Sequence, residues 1–256
     1  MVFGGRRILQ AVGDGFPAAW REILERSFAP WYGLTEGERE HLEDLVLELI
    51  ATKRWEAARG FALDDDVFVT IAAHAALLVL ALPAGIRLYG QVSSIIVHAT
   101  SMTLNGPRAG PAPGLLTDAP LLVSGHTRHR GPVVLAWDAA RREARSPRWG
   151  HNVIYHEFAH CLDLLDGEVD GVPVIDAAGR RQWRAVCDPI FKRIQAGDEE
   201  EELLRPYAGV NPGEFFAVAT EVFFTRPAAM AMIHPDLFGL LADFYRQNPA
   251  TRSTIP

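Results

Sequence analysis

His156 and His160 stand four residues apart with Glu157 directly after the first, in the order His156-Glu157-Phe158-Ala159-His160. Residues four apart lie on one face of a helix, so the two imidazoles can grip a single divalent ion. A glutamate beside the first histidine can reach a water on that ion without ligating it. The stretch therefore has the makings of metal-assisted hydrolysis, with Glu157 as general base. With nine histidines in 256 residues, accident accounts for roughly 0.02 such patterns in a chain of this composition, so chance is the weaker explanation.

A catalytic zinc takes three protein ligands and keeps a position for water, so another donor is needed downstream. Two carboxylates compete. Glu214 and Glu221 are seven apart on one expected helix and face roughly the same way. Glu214 also has a plain role: with Asn211 as N-cap and Pro212 at the first helical position, it is the third residue of a capping box. Glu221, amid apolar neighbours, would be costly to bury unpaired, and a contact to a histidine would supply its partner. Spacing leaves both open. Asp163, one turn beyond His160, reads equally as a carboxylate orienting an imidazole or as a helix-surface charge.

Other candidates are weaker. Cys161 lies with Ile154 and Leu165 on a different face from the histidine pair and reads as packing. His151, five residues before His156, is poorly placed to share its ion. His126 and His129 flank Arg128 without a supporting partner, and His74 sits in an apolar run where a satisfied core histidine is the ordinary case.

These residues need elements to position them. A helix from His151 to about Leu165 carries the histidines and ends at Asp166-Gly167. Upstream, Thr35-Glu36-Gly37-Glu38 forms a capping box before Leu42, Leu45, Val46, Leu49 and Ile50 at helical spacing. Asp64, Asp65 or Asp66 caps a second helix whose body, Ile71 to Leu82, is apolar on most sides until Pro83 stops it. Ile86–Tyr89, Val92–Ala99, Leu121–Ser124 and Pro132–Trp137 read as strands, with a surface loop from Asn105 to Pro120. The strand at 132–137 reads either as an edge strand beside the metal helix, where a peptide backbone can pair with it, or as an ordinary strand of the sheet. Helices follow at 180–196, despite Pro189, and at 215–224 and 237–245, with a solvated acidic run at 198–202.

Composition sets the frame. With 48% hydrophobic residues the chain can bury a sizeable core. A net charge of −7 with no basic stripe excludes a nucleic-acid partner held by counterion release. Two cysteines are too few for a disulfide framework, which places the protein in a reducing cytoplasm. The apolar run at 71–82 is too short to span a membrane, and Gly13, Asp14, Gly15 and Pro17 break any leader-like segment.

Taken together, the words Gly150 to Ile154, His156 to Asp163, Asp170-Gly171-Val172-Pro173, Tyr207-Ala208, Asn211 to Val218 and Glu221 to Phe224 resemble the Mlc titration factor A (MtfA) family of zinc metallopeptidases. The metal helix of that family is similar to that of anthrax lethal factor. Leu34-Thr35 and the stretch from Lys53 to Ala73 extend the resemblance over most of the chain. It implies an α+β, zincin-like domain at 86–256, a small mixed sheet plus the HExxH helix, with an N-terminal helical region at 1–85 packed on it. It also implies one zinc ion on His156, His160 and Glu214, Glu157 as general base, and Tyr207 as the hydroxyl that stabilises the oxyanion. The implied activity is aminopeptidase-like hydrolysis of peptide substrates by a water held between zinc and Glu157. The alternative is a regulatory protein that sequesters a transcription repressor of the Mlc type, with zinc mainly structural. One segment departs from the family: Gly125-His126-Thr127-Arg128 stands where the family carries a Gly-Glu-Ala-Trp type segment.

Overall fold

The structure, a computed structural model, describes residues 13, 15–58, 60–100, 131–146, 150–198 and 203–252, together with the backbone of short strands between 102 and 127. The chain opens with helices α1 (Ala18–Ser27), α2 (Glu36–Thr52) and α3 (Asp65–Val79). The capping box at the head of α2 forms as expected: Thr35 Oγ1 accepts from the Glu38 amide and the Glu38 carboxylate accepts from the Thr35 amide. Asp64 caps α3 by accepting from the Val67 amide at 3.0 Å. Every residue of α3 from Val67 to Val79 is buried, because the helix is packed on by α1 and α2 and by the helix that carries His156.

Strand β1 (Arg54–Ala57) follows α2 directly and runs parallel to β2 (Ser94–His98), with Trp55 opposite Ile95. β2 in turn runs parallel to β8 (Val133–Ala136), and β7 (Gly125–Thr127) adds antiparallel to β8, giving the order β1-β2-β8-β7. The sheet thus draws one strand from before residue 85 and three from after it. Strand β8 is not at the edge. It has β2 on one side and β7 on the other, so its backbone groups are already engaged, and of the two readings of 132–137 the ordinary strand holds. Between β2 and β7, β3 (Met102–Leu104) pairs with β6 (Leu121–Val123) and β4 (Arg108–Ala109) with β5 (Leu116–Thr117). Part of the stretch expected as loop is therefore paired backbone; its other residues lie outside the described ones.

The expected strand at 86–89 is instead a one-turn 3-10 helix, Gly85–Tyr89. Its buried residues Ile86 and Tyr89 are three apart, a helical spacing and not the alternation of a strand, and the Tyr89 hydroxyl donates to the Ala75 carbonyl at 2.9 Å. After β8 come α4 (Trp137–Arg145), α5 (Val153–Asp163), α6 (Ala177–Gln195, containing Pro189), α7 (Pro212–Thr225), α8 (Pro227–Ile233) and α9 (Pro235–Tyr245). Of the acidic run, 199–202 lies outside the described residues. A single contiguous core joins Leu24 of α1 and Phe28 just after it, the α3 face, Phe158 of α5, Phe216 and Phe223 of α7, and Tyr245. Among the described residues no single helix is long and apolar enough to cross a membrane.

His74 lies in this core, 2% exposed, with Nδ1 hydrogen-bonded to the Thr70 carbonyl at 2.8 Å and its ring against Phe28 and Tyr155. Burial pushes its pKa down to about 4, against a smaller opposing effect of that hydrogen bond. The unfolded chain takes up this proton near pH 6.5 and the folded chain only near 4. The associated stability is therefore complete above pH 6.5, falls as pH drops below it, and levels off below about 4, a loss of at most about 3 kcal/mol. Denaturant titrations of wild type and His74→Phe across pH 4–8 should show a flatter acid limb in the variant. Identical limbs would mean that the His74 pKa does not differ between the folded and the unfolded chain.

Candidate metal centre

The amides at the head of α5 are claimed by side chains from three directions. Asn152 Oδ1, at the N-cap, accepts from the amides of Ile154 and Tyr155, both at 3.1 Å. Glu143 of α4 accepts from the Val153 amide at 2.8 Å, and Glu221 of α7 from the Asn152 amide at 2.7 Å. These bonds fix where α5 starts, and hence the direction in which its histidines project. The helix runs to Asp163, continues as the 3-10 turn Leu164–Asp166, and stops at Gly167, whose φ of +96° ends it as expected.

α7 packs against α5 in the opposite direction, so that Glu221 meets the start of α5 and the head of α7 meets its end. This brings Glu214 Oε2 to 3.0 Å from His156 Nε2 and 3.5 Å from His160 Nε2, while the two Nε2 atoms are 3.2 Å apart. Among the described residues this is the one group of three that could hold a metal ion. Three donors bound tetrahedrally at about 2.0–2.1 Å from an ion would stand about 3.3 Å from one another, which matches the observed separations. Glu214 Oε2 is also buried, with the two imidazole nitrogens as its ion-pairing neighbours, and a cation between the three donors would take up the charge they now share with a proton. The residues present fit a metal ion.

Glu221 stands behind the cluster. Its Oε1 accepts from His156 Nδ1 at 2.8 Å, which turns the Nε2 lone pair toward Glu214 and His160. The two carboxylates that spacing left open therefore take different places, Glu214 in the cluster and Glu221 on the far nitrogen of His156. Arg205 Nη2 donates to the same Oε1 at 2.6 Å, so the buried charge of Glu221 is paired. Burial disfavours the protonated form of His156, but the carboxylates of Glu214 and Glu221 outweigh it and push the pKa up to about 10. Burial likewise opposes ionisation of Glu214, and the two imidazoles overcome it and hold the carboxyl well below its ordinary range. A metal ion entering this site competes with a proton.

Glu157 is buried on α5, and its charge is felt at both His156 and Tyr207. Tyr207 sits on the 3-10 turn Pro206–Gly209, 42% exposed, with its ring centroid 6.0 Å from that of His156. Partial burial and the neighbouring Glu214 raise its hydroxyl above the usual range, which keeps it a proton donor.

Asp163 is fully buried, so the surface-charge alternative is wrong. Its Oδ2 accepts the Gly171 amide at 3.2 Å, tying the segment after α5 back to the helix. Gly171 itself has φ +69°, and a Cβ there would collide with the Pro212 carbonyl oxygen. Cys161 is buried and donates to the Glu157 carbonyl, as packing predicts. His151 precedes α5 and is not in the cluster. His129 lies outside the described residues, as does the side chain of His126. The sequence reading missed Arg205, Glu143 and the cap at Asn152. Of these only Asn152 carried a signal, an Asn directly ahead of an amphipathic helix.

Residues 5–246 match the model of the glucose-regulated metallo-peptidase M90 family. Mlc titration factor A of Escherichia coli strain 55989 is 30% identical over 238 residues, covering 91% of this chain and 87% of that one. The Salmonella typhi protein of the same name is 29% identical over 254 residues, 94% of each chain. An uncharacterized protein of Synechocystis, slr2042, is 30% identical over 240 residues, 91% of this chain and 85% of its own. The helix-rich α+β architecture with its small sheet fits a zincin-like domain. By a match over nearly its whole length, and by relatives aligned over the same span, this chain belongs to the glucose-regulated metallo-peptidase M90 family.

Proposed function

We propose that the protein is a zinc-dependent peptidase in which His156, His160 and Glu214 hold the ion, Glu157 is the general base and Tyr207 the oxyanion donor. The observation that carries this reading is the convergence of two imidazole nitrogens and one buried carboxylate oxygen at separations suited to a single ion. Zinc is the choice because a two-histidine, one-glutamate set is one of its catalytic donor sets. Bound there, it would supply a Lewis acid that makes water nucleophilic near neutral pH and polarises the scissile carbonyl. Glu157 takes the proton from the attacking water and returns it to the leaving amine. The Tyr207 hydroxyl donates to the oxygen on which negative charge develops. Glu221 holds His156 by its Nδ1–H, fixing tautomer and ring direction.

Aminopeptidase-like action on short peptides and a cytoplasmic location complete the proposal. Family resemblance supports the first, and two buried, unbridged cysteines support the second. The name of the relatives, Mlc titration factor A, favours a second role, the sequestering of a transcription repressor of the Mlc type with the metal mainly structural.

Metal analysis and a peptide library read by mass spectrometry test these assignments. Glu214→Ala should drop zinc from about one per chain to near zero, whereas Glu157→Gln should keep it and lose hydrolysis by about 10²–10⁴-fold. A Glu157→Gln variant that cleaves as well as wild type ends the proposed mechanism. If that variant is inert yet still binds a purified Mlc-type repressor, sequestering is a separate function. Tyr207→Phe should retain zinc and lose about 10²–10³ in kcat. Glu221→Gln should weaken metal affinity by about 10–100-fold in a chelator competition; unaltered affinity would show that the His156 contact does not tune the site.

A further inference from the structure

Arg205 touches both halves of this centre without facing the metal cluster. It stands at the N-cap of the turn Pro206–Gly209 that carries Tyr207. Its Nη2 donates to Glu221 Oε1, the oxygen that also accepts from His156 Nδ1. Its Cζ lies 5.7 Å from the centroid of the Tyr207 ring, within cation–π range. The side chain is only 24% exposed, and Nη1 is buried with no hydrogen-bond partner. A surface arginine serving only solubility turns its guanidinium to water and leaves no donor unpaired. Here the guanidinium is drawn inward, and the contacts that locate it are a carboxylate on one side and an aromatic face on the other.

The Tyr207 hydroxyl has Glu214 as a hydrogen-bond partner, but the ring stands half-exposed on a single 3-10 turn, and exposed side chains change rotamer freely on short timescales. The backbone of the turn is tied down by the Gln195 side chain on the Gly209 carbonyl and by the burial of Ala208, but neither bears on the ring. We propose that Arg205 is a positioning residue: by bridging Glu221 and the Tyr207 ring, it fixes the tyrosine hydroxyl relative to His156 and makes the orienting carboxylate and the oxyanion donor one mechanical unit. It does so without touching substrate. This rests on the peptidase reading above. Loss of Arg205 leaves Glu221 still held by the Asn152 amide and by His156, so the metal should stay while the ring is released.

The test compares wild type, Arg205→Met, Arg205→Lys, Tyr207→Phe and the double variant Arg205→Met/Tyr207→Phe. Each is assayed for zinc content, for kcat and KM on a peptide the wild type cleaves, and for amide exchange in the metal-free chain. Arg205→Met should hold zinc as wild type does, lose roughly tenfold in kcat and change KM by less than about twofold, since a misplaced group affects the transition state first. Arg205→Lys should recover part of the loss, and the double variant should be no slower than Tyr207→Phe alone. Exchange should quicken at residues 207–210 and stay unchanged in α5 and α7. Wild-type kcat in Arg205→Met, losses that multiply in the double variant, or faster exchange throughout α5 and α7 would each overturn the proposal. If the wild type cleaves no peptide, the peptidase reading falls instead, and the exchange data alone decide whether Arg205 holds the turn.

Discussion

The buried carboxylate of Glu221 is the contact on which the centre depends. One oxygen takes the Asn152 amide at the head of α5, and the other takes both the His156 imidazole and the Arg205 guanidinium. A single ionised group thus sets the start of the metal helix, the orientation of its first histidine and the seat of the arginine beside Tyr207. A carboxylate with a side chain only 2% exposed is tolerable only because hydrogen bonds and an opposite charge replace its water. The three partners share one charge and polarise one another through it, and loss of any one leaves two in place.

The packing of α5 on α7 carries that constraint to the third donor. Contacts recur along the pair, from Asn152 with Glu221, through His156 and His160 with Glu214, to Asp163 beside Gly213. A slip by one helical turn would move Glu214 about 5.4 Å, well outside the donor separations seen here. The surrounding core, with α3 buried along almost its whole length and β1 supplied from the N-terminal part, resists such a slip. The N-terminal helices therefore belong to the mechanics of the site as well as to its cover.

What was legible in the sequence follows from the range of each signal. The four-residue spacing of the histidines and the capping box at Thr35 are local, and local periodicity survives folding intact. The choice between Glu214 and Glu221 was not legible, because residues seven apart share a face and only the placing of α5 separates their roles. Strand β1 is four residues long and mixes Arg, Trp, Glu and Ala, too short for alternation to register. Ile86–Tyr89 has strand-like composition but is bent by its tertiary partners into a 3-10 turn. Whether 132–137 was an edge or an ordinary strand was not legible either, because strand order is a long-range property, set here by β7 pairing across from it. Arg205 carries no sequence signal at all; its meaning comes from Glu221, sixteen residues away.

At Gly171, whose missing side chain lets the main chain come up against the Pro212 carbonyl, two stretches of peptide touch with nothing adjustable between them. Rotamers cannot relax such a junction, and any β-carbon would wedge the strand of loop off the helix head. The carboxylate two positions past Pro212 thus inherits its placement from bare backbone. A change of a few atoms at that glycine would therefore push on the turn of helix from which this side chain reaches the two histidines.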